Sequence, residues 1–348
     1  MNVLIIGNGF DLAHGLKTSY DDFLKICELA KAENVQWQDD KPVINERVWA
    51  ENKRVLIEEI SGNLGEVLWK QLCKEVRGNF WVDFLQKREN QIGKNWIDFE
   101  DEIKNFLIKI HEKQVEDKKE YMIIRADDDA GIVAFCKKYG YTNKNPRYGD
   151  VYKKLNEELN KLIKSYEIYL DGYINTCEIE QNQYLRNKTF DHVLSFNYTC
   201  TYTEHYNANV DCCYIHGKAD LRYDYTNMVL GFDERSFGDD KLIPDLIPFE
   251  KFYQRVVNRT DNQYLDWIDE MEYTGTHNIY IFGHSLGVTD GDVLSKFLTA
   301  DNSKVHIYYY NEQDRAEKIK NMALIIGADN VIKLTGGKDP KIVFETND

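Results

Sequence analysis

The chain has 348 residues with 59 acidic against 44 basic side chains, a formal charge of -15, and a 43% hydrophobic content that includes 23 Tyr, 16 Phe and 6 Trp. That length holds one large or two interleaved domains around a substantial core, so a disulfide-stapled miniature and a disordered chain are both excluded. The acid excess argues against sequence-independent nucleic-acid binding, which draws its affinity from a Lys/Arg surface that releases counterions.

Residues 2–6 are an uninterrupted apolar run bounded by Gly7, which predicts a short strand buried on both faces, as in parallel sheets. The opening hexapeptide reads as too short for a secretory leader. From about residue 18 to 183 the texture is amphipathic, with apolar positions at three and four spacing, and this predicts a mainly helical segment. Asp98 is placed to cap a helix carrying Phe99, Ile103, Phe106, Leu107 and Ile110. After Asn187 strands are expected at 192–196, 212–215, 228–230, 278–282, 305–309 and 331–334, and helices at 263–271, 292–298 and 313–325. Strands separated by helices imply an α/β fold with a parallel sheet and right-handed crossovers. The economical division joins 1–16 to 186–348 as the sheet domain, with 17–185 as a helical insertion after the first strand.

Several absences narrow the class. No apolar stretch approaches the roughly 20 residues needed to span a bilayer, so no membrane partner and a cytoplasmic location are expected. Seven cysteines without C-x-x-C spacing suggest reduced thiols, and adjacent Cys212 and Cys213 would point to opposite faces of a strand. No cluster has metal-ligand spacing, so no metal is expected. No internal repeat or low-complexity segment stands out, and charge-rich stretches such as 112–120 read as solvated helix faces. Tyr308-Tyr309-Tyr310 fits either a homo-oligomer interface or a half-buried strand.

Open parallel sheets bind ligands outside the carboxyl ends of their strands, and four expected strands end in polar residues. The first gives Gly7-Asn8-Gly9-Phe10-Asp11, the second Asn197-Tyr198-Thr199, the third His216-Gly217, and a later one Gly283-His284-Ser285-Leu286-Gly287. If these strands are parallel, the four tips share one rim. Gly7 and Gly9 suit either a phosphate-cradling turn or a tight turn of purely structural use. The dinucleotide fingerprint fails at Leu12, and no second strand with a ribose-binding acid occurs about 20 residues on. Asp11 suits a helix cap or a ligand hydroxyl, and His14 suits a place on the ligand rim or packing against the insertion equally well. Asn197 can hold a sugar hydroxyl or a water by donating and accepting together, and His216 is the natural general base on that rim. Against this stands a structural use for both, as a turn amide and a packed imidazole.

Gly283-His284-Ser285-Leu286-Gly287 also matches the nucleophile elbow of serine hydrolases. A triad needs an acid and then a histidine later in the chain, yet the downstream His306 falls inside an expected strand, and Val288-Thr289-Asp290 predicts a loop capping a helix at Asp292. Trp96, Asp98 and Glu100 read as an aromatic anchor and a helix start, with Glu100 placed over a ligand as the alternative if the insertion covers the rim.

The opening run from Gly7 to Phe23, with Phe196-Asn197-Tyr198-Thr199, Ile215-His216-Gly217 and Gly283-His284-Ser285, resembles the AbiH family of phage abortive-infection proteins across essentially the whole chain. More distantly, the order of these motifs is similar to the sirtuin-like Rossmann fold, whose members consume NAD. That resemblance implies Asn197 and His216 as the catalytic pair. It also implies a nucleotide held by Gly7, Asn8, Gly9, Phe10, Asp11, Tyr198, Thr199, Gly217, Gly283, His284 and Ser285. Asn8 departs from the sirtuin alanine, Phe10-Asp11 stand where sirtuins continue with serine, and the paired-cysteine zinc module is absent, which removes deacylation.

Three functions stand as expectations. The first is an anti-phage effector that binds NAD or a related nucleotide, hydrolyses the nicotinamide N-glycosidic bond and answers a phage-derived trigger. The second is a nucleotide-sensing or protein-interaction module without catalysis. The third is a serine hydrolase using Ser285.

Overall fold

The computed structural model describes residues 1–32, 35–44, 51–92, 98–125, 127–142, 144–233, 243–273 and 275–346; Trp96 lies outside them. In chain order the first elements are β1 (Asn2–Ile6), α1 (Asn8–Ala13), α2 (Tyr20–Lys31), β2 (Val35–Gln38), β3 (Lys41–Ile44), α3 (Glu51–Val76), α4 (Phe80–Ile92) and α5 (Phe99–Asp117). Then come α6 (Ala130–Lys138), α7 (Tyr148–Gly172), α8 (Gln183–Arg186), β4 (His192–Ser195), α9 (Thr201–His205), β5 (Asp211–Tyr214) and α10 (Lys251–Asn258). The last are α11 (Tyr264–Tyr273), β6 (His277–Phe282), α12 (Gly291–Thr299), β7 (Ser303–Tyr309), α13 (Glu312–Ile326), α14 (Ala328–Thr335) and β8 (Ile342–Thr346). Two compact units result: one holds Met1–Thr18, Cys177–Ala219 and Asn258–Asp348, the other Ser19–Thr176 and Asp220–Val257.

The first unit is built on a six-stranded sheet in the order β5-β4-β1-β6-β7-β8, parallel throughout. Numbered by appearance within the sheet this is 3-2-1-4-5-6, the doubly wound order in which the chain reverses its travel beside the first strand, here between β1 and β6. Alternate residues of each strand feed two cores, because strand side chains point to opposite faces in turn. On one face Val3, Ile5, Ile279, Ile281, Val305 and Ile307 pack with Trp267 of α11, Phe297 of α12 and Met322 of α13. On the other, Leu4, Ile6, Val193 and Phe282 pack with Phe10 of α1, Leu185 of α8 and Tyr202 of α9.

Two expected strands are corrected. Residues 331–334 lie in α14, where Val331 is buried and Ile332 exposed, and the last sheet strand is β8. Residues 228–230 are buried but form no strand: the Gln254 side chain accepts from Leu230 N–H at 2.9 Å and donates to Leu230 C=O at 3.2 Å, doing for that backbone what a ladder partner would do. The helices expected at 263–271, 292–298 and 313–325 are present as α11, α12 and α13.

The second unit is mainly helical, with the antiparallel hairpin β2–β3 turning at Asp39 and Asp40, both in the left-handed region. Asp98 caps α5 as expected, its Oδ1 accepting from Glu100 N–H at 2.9 Å and Asp101 N–H at 3.1 Å. Among the described residues no helix is long and apolar enough to cross a membrane.

Candidate functional site

The register of the sheet fixes what its rim can bring together. Ile6 is level with Ser195 and with Phe282, and Ser195 is level with Tyr214. Two residues further on, Asn8, Asn197, His216 and His284 therefore reach the same level past the ends of β1, β4, β5 and β6. The convergence predicted from four separate motifs is thus a consequence of parallel pairing.

The glycines at the switch point serve main-chain contact. Gly9 N–H donates to Gly283 C=O at 2.8 Å, Phe10 N–H to Gly7 C=O at 2.8 Å, and Gly7 N–H to Phe282 C=O at 3.4 Å. A Cβ on Gly9 would lie 2.7 Å from the Gly283 carbonyl oxygen, and one on Gly7 2.9 Å from His284 Cα. The amides expected to face a phosphate are thus directed at carbonyls. Phe10, expected to touch the ligand, is instead 0% exposed, with its ring set edge-on to Phe282 at 6.0 Å; it is a core residue, because α1 turns it down onto the sheet. His14 also packs: its Nδ1–H donates to Phe10 C=O at 2.6 Å, and its Nε2 accepts from the Tyr206 hydroxyl at 2.5 Å.

Behind the turn lies a buried polar network. Asp11, 1% exposed, receives the Thr199 hydroxyl on Oδ2 at 2.6 Å, while its Oδ1 is buried without a hydrogen bond. Burial pushes the Asp11 carboxyl up to about 6, against the opposing effect of Thr199, Thr201 and Asn197. Thr201 Oγ1 donates to Thr199 Oγ1 at 3.2 Å. Asn197, 5% exposed, donates from Nδ2 to Gly7 C=O at 3.0 Å, which ties the end of β4 to the end of β1. Asn8 accepts from the Thr18 hydroxyl at 2.6 Å and is half-buried, and Tyr198 is buried.

A second polar group forms where β5 and β6 end. His216, 4% exposed, sets Nε2 at 3.0 Å from Asp290 Oδ1, and His284 sets Nε2 at 3.7 Å from Asp290 Oδ2. Gly217, with φ of 72°, folds the chain back so that its N–H reaches Tyr214 C=O at 2.9 Å. Asp290 carries no signal of this role in the sequence, where Val288-Thr289-Asp290 reads as a capping loop. It does stand at the start of α12, but its side chain makes no capping bond.

Ser285 is exposed on the rim. The hydrolase expectation fails on context: the helix after it begins at Gly291, and His306 lies in β7, where its Nδ1 is 2.7 Å from Glu345. Glu100 is ion-paired with Lys251 at 2.9 Å within the helical unit. Among the described residues no group of three or more His, Cys, Asp or Glu side chains could hold a metal ion.

No curated protein and no solved structure matches the chain. Residues 3–311 match the family described as bacteriophage abortive infection AbiH, a span that takes in every strand tip described above. The chain therefore belongs to the AbiH family of bacteriophage abortive-infection proteins.

Proposed function

We propose that this AbiH chain serves phage defence through a nucleotide site on the carboxyl rim of its sheet, with NAD as substrate and hydrolysis of the nicotinamide N-glycosidic bond as the reaction. The observation that carries the reading is the placing of a buried amide, Asn197, and a buried imidazole, His216, at one level on adjacent strand ends, the amide bonded to the Gly7 turn. The doubly wound order supports it, because ligands of such sheets enter at the switch point. The sirtuin-like order of motifs supports NAD in particular.

The fit to a dinucleotide is uneven. Asn8 and Ser285 offer accessible polar groups on the rim, but the Gly9 amide already donates to Gly283, so phosphates seated there would have to part the two turns. A phage-derived trigger acting at that joint would make the protein latent until infection.

In the reaction, water adds to the anomeric carbon as the C–N bond breaks and the bonding pair leaves with nicotinamide as a neutral group. The water proton passes to His216. Asn197, whose Nδ2 donates to Gly7, would offer Oδ1 to the water or a ribose hydroxyl.

Incubating the purified protein with NAD, with and without lysate of phage-infected cells, and following nicotinamide release tests the reading. His216→Ala and Asn197→Ala should each lower turnover by about 100-fold or more. Turnover unchanged in both would remove the assigned roles. The closed Gly9–Gly283 joint favours a second reading, a nucleotide-sensing module; saturable NAD binding by calorimetry without nicotinamide release would select it.

A further inference from the structure

Two hydrogen bonds tie the stretch that follows β1 to the stretch that follows β4. Asn197 Nδ2 donates to Gly7 C=O at 3.0 Å, and the Thr199 hydroxyl donates to Asp11 Oδ2 at 2.6 Å. Thr201 Oγ1 in turn donates to Thr199 Oγ1 at 3.2 Å, so the two hydroxyls run in one direction, toward the carboxyl. The main chain of Asn197 is held separately: the Ser195 hydroxyl accepts from its N–H at 3.1 Å and donates to its C=O at 3.2 Å. What is left to fix is the turn of the Asn197 side chain. Its bond to Gly7 uses one of two N–H groups and shares the Gly7 carbonyl with Phe10 N–H, which donates there at 2.8 Å. Asp11 is fully buried, and its Oδ1 has no hydrogen bond. The Asn197 amide is among the groups that favour the Asp11 charge, after Thr199 and Thr201 and against the burial that pushes the carboxyl up to about 6.

We propose that Asp11 is a positioning residue: acting through Thr199 and on the Asn197 amide itself, its carboxylate completes a two-point clamp that turns Asn197 Oδ1 out to the rim. Asp11 and Thr199, expected from the sequence to touch a nucleotide, are both buried and face each other, so their influence on a ligand runs through Asn197. A buried carboxylate oxygen without a donor is costly, and the second N–H of Asn197 is the donor that relieves it. Each group thereby sets the other: the amide steadies the charge, and the charge fixes which edge of the amide faces inward.

This deepens the proposed function and rests on it only in giving Asn197 a ligand to meet; the clamp is measurable without turnover. The carboxyl carbon resonance of Asp11 and the Nδ2 nitrogen and proton resonances of Asn197, followed in the full chain from pH 4 to 8, report both groups in the unaltered protein. Expected is one shared midpoint at about 6. The ring resonances of His14 on α1 and His205 on α9 are followed alongside. Asn197 resonances that do not move with the Asp11 carboxyl, or that track either ring instead, overturn the proposal, and neither result needs a variant to fold. Thr199→Val, close in shape but without the hydroxyl, should raise the Asp11 midpoint by about half a pH unit or more and speed solvent exchange of the Asn197 Nδ2 protons about 10-fold or more. An unmoved midpoint or unchanged exchange overturns it as well. With NAD, Thr199→Val should lower kcat about 10-fold or more with KM little changed, and Thr199→Ser, which restores the hydroxyl, should recover turnover to within about 3-fold. If the resonances behave as expected and no NAD is cleaved, the substrate reading fails and the clamp stands. If NAD is cleaved through Asn197 while its amide ignores Asp11, the clamp fails and the substrate reading stands.

Discussion

Gly9 and Gly283 are joined main chain to main chain, the amide of one donating to the carbonyl of the other at 2.8 Å, so the turns that end β1 and β6 are interlocked at the switch point. Side chains are excluded there in both directions. A Cβ on Gly283 would lie 2.1 Å from Phe10 N, and its φ of 67° is strained for any other residue. Gly283→Ala should therefore destabilise the protein by about 3 kcal/mol, the sum of a left-handed backbone penalty and overpacking. Gly9→Ala, which meets only the overpacking, should cost about 2 kcal/mol. Urea unfolding of the two variants checks this, and equal, small losses would mean that the turns part easily.

Asp11 supplies a pH-dependent effect of known sign. Its carboxyl rises from an ordinary 3.8 to about 6 because it is buried, so the folded state holds the proton more tightly than the unfolded chain. Its contribution favours the fold below pH 4 and is lost as pH rises toward 6; at about 1.4 kcal/mol per pH unit the loss is about 3 kcal/mol. Asp11→Asn keeps an acceptor for Thr199 and cannot ionise. The stability of the variant relative to the unaltered protein should climb between pH 4 and 6 and level off above. A difference that stays flat across that range would show that Asp11 is ionised at no cost in the fold.

The run Val3-Leu4-Ile5-Ile6 announces a central strand, because four consecutive apolar residues have no other economical use before a Gly-rich turn. The rim is legible because strand tips leave short polar signatures, and parallel pairing then brings them level. Val331-Ile332-Lys333-Leu334 misleads because four residues cannot distinguish a period of 2 from one of 3.6, and Ile332 proves to be exposed on a helix. Asp290 is illegible for another reason: beside Asp292 it looks like one more helix cap, and only the fold reveals that its carboxylate turns to His216 and His284. Phe10 looks like part of the turn because sequence order does not say which way a helix rolls.

Glu100 and Lys251 are a buried ion pair at 2.9 Å within the helical unit, with side-chain exposures of 13% and 6%. Glu100 sits in the first turn of α5, where the helix dipole favours an anion. Lys251 opens α10, where the same dipole disfavours a cation, and Glu100 offsets that charge, with Asp98 a second acid acting on it. Removing one partner takes an opposite charge from an ion held in a poorly solvated place. Lys251→Met should destabilise the fold by about 2 kcal/mol, as should Glu100→Gln, because each leaves a shielded charge with less compensation. The double variant removes both charges, so it should be more stable than the sum of the two single losses predicts, with a coupling of about 1 kcal/mol. Strict additivity in urea unfolding of the four proteins would show that the two charges act independently of each other.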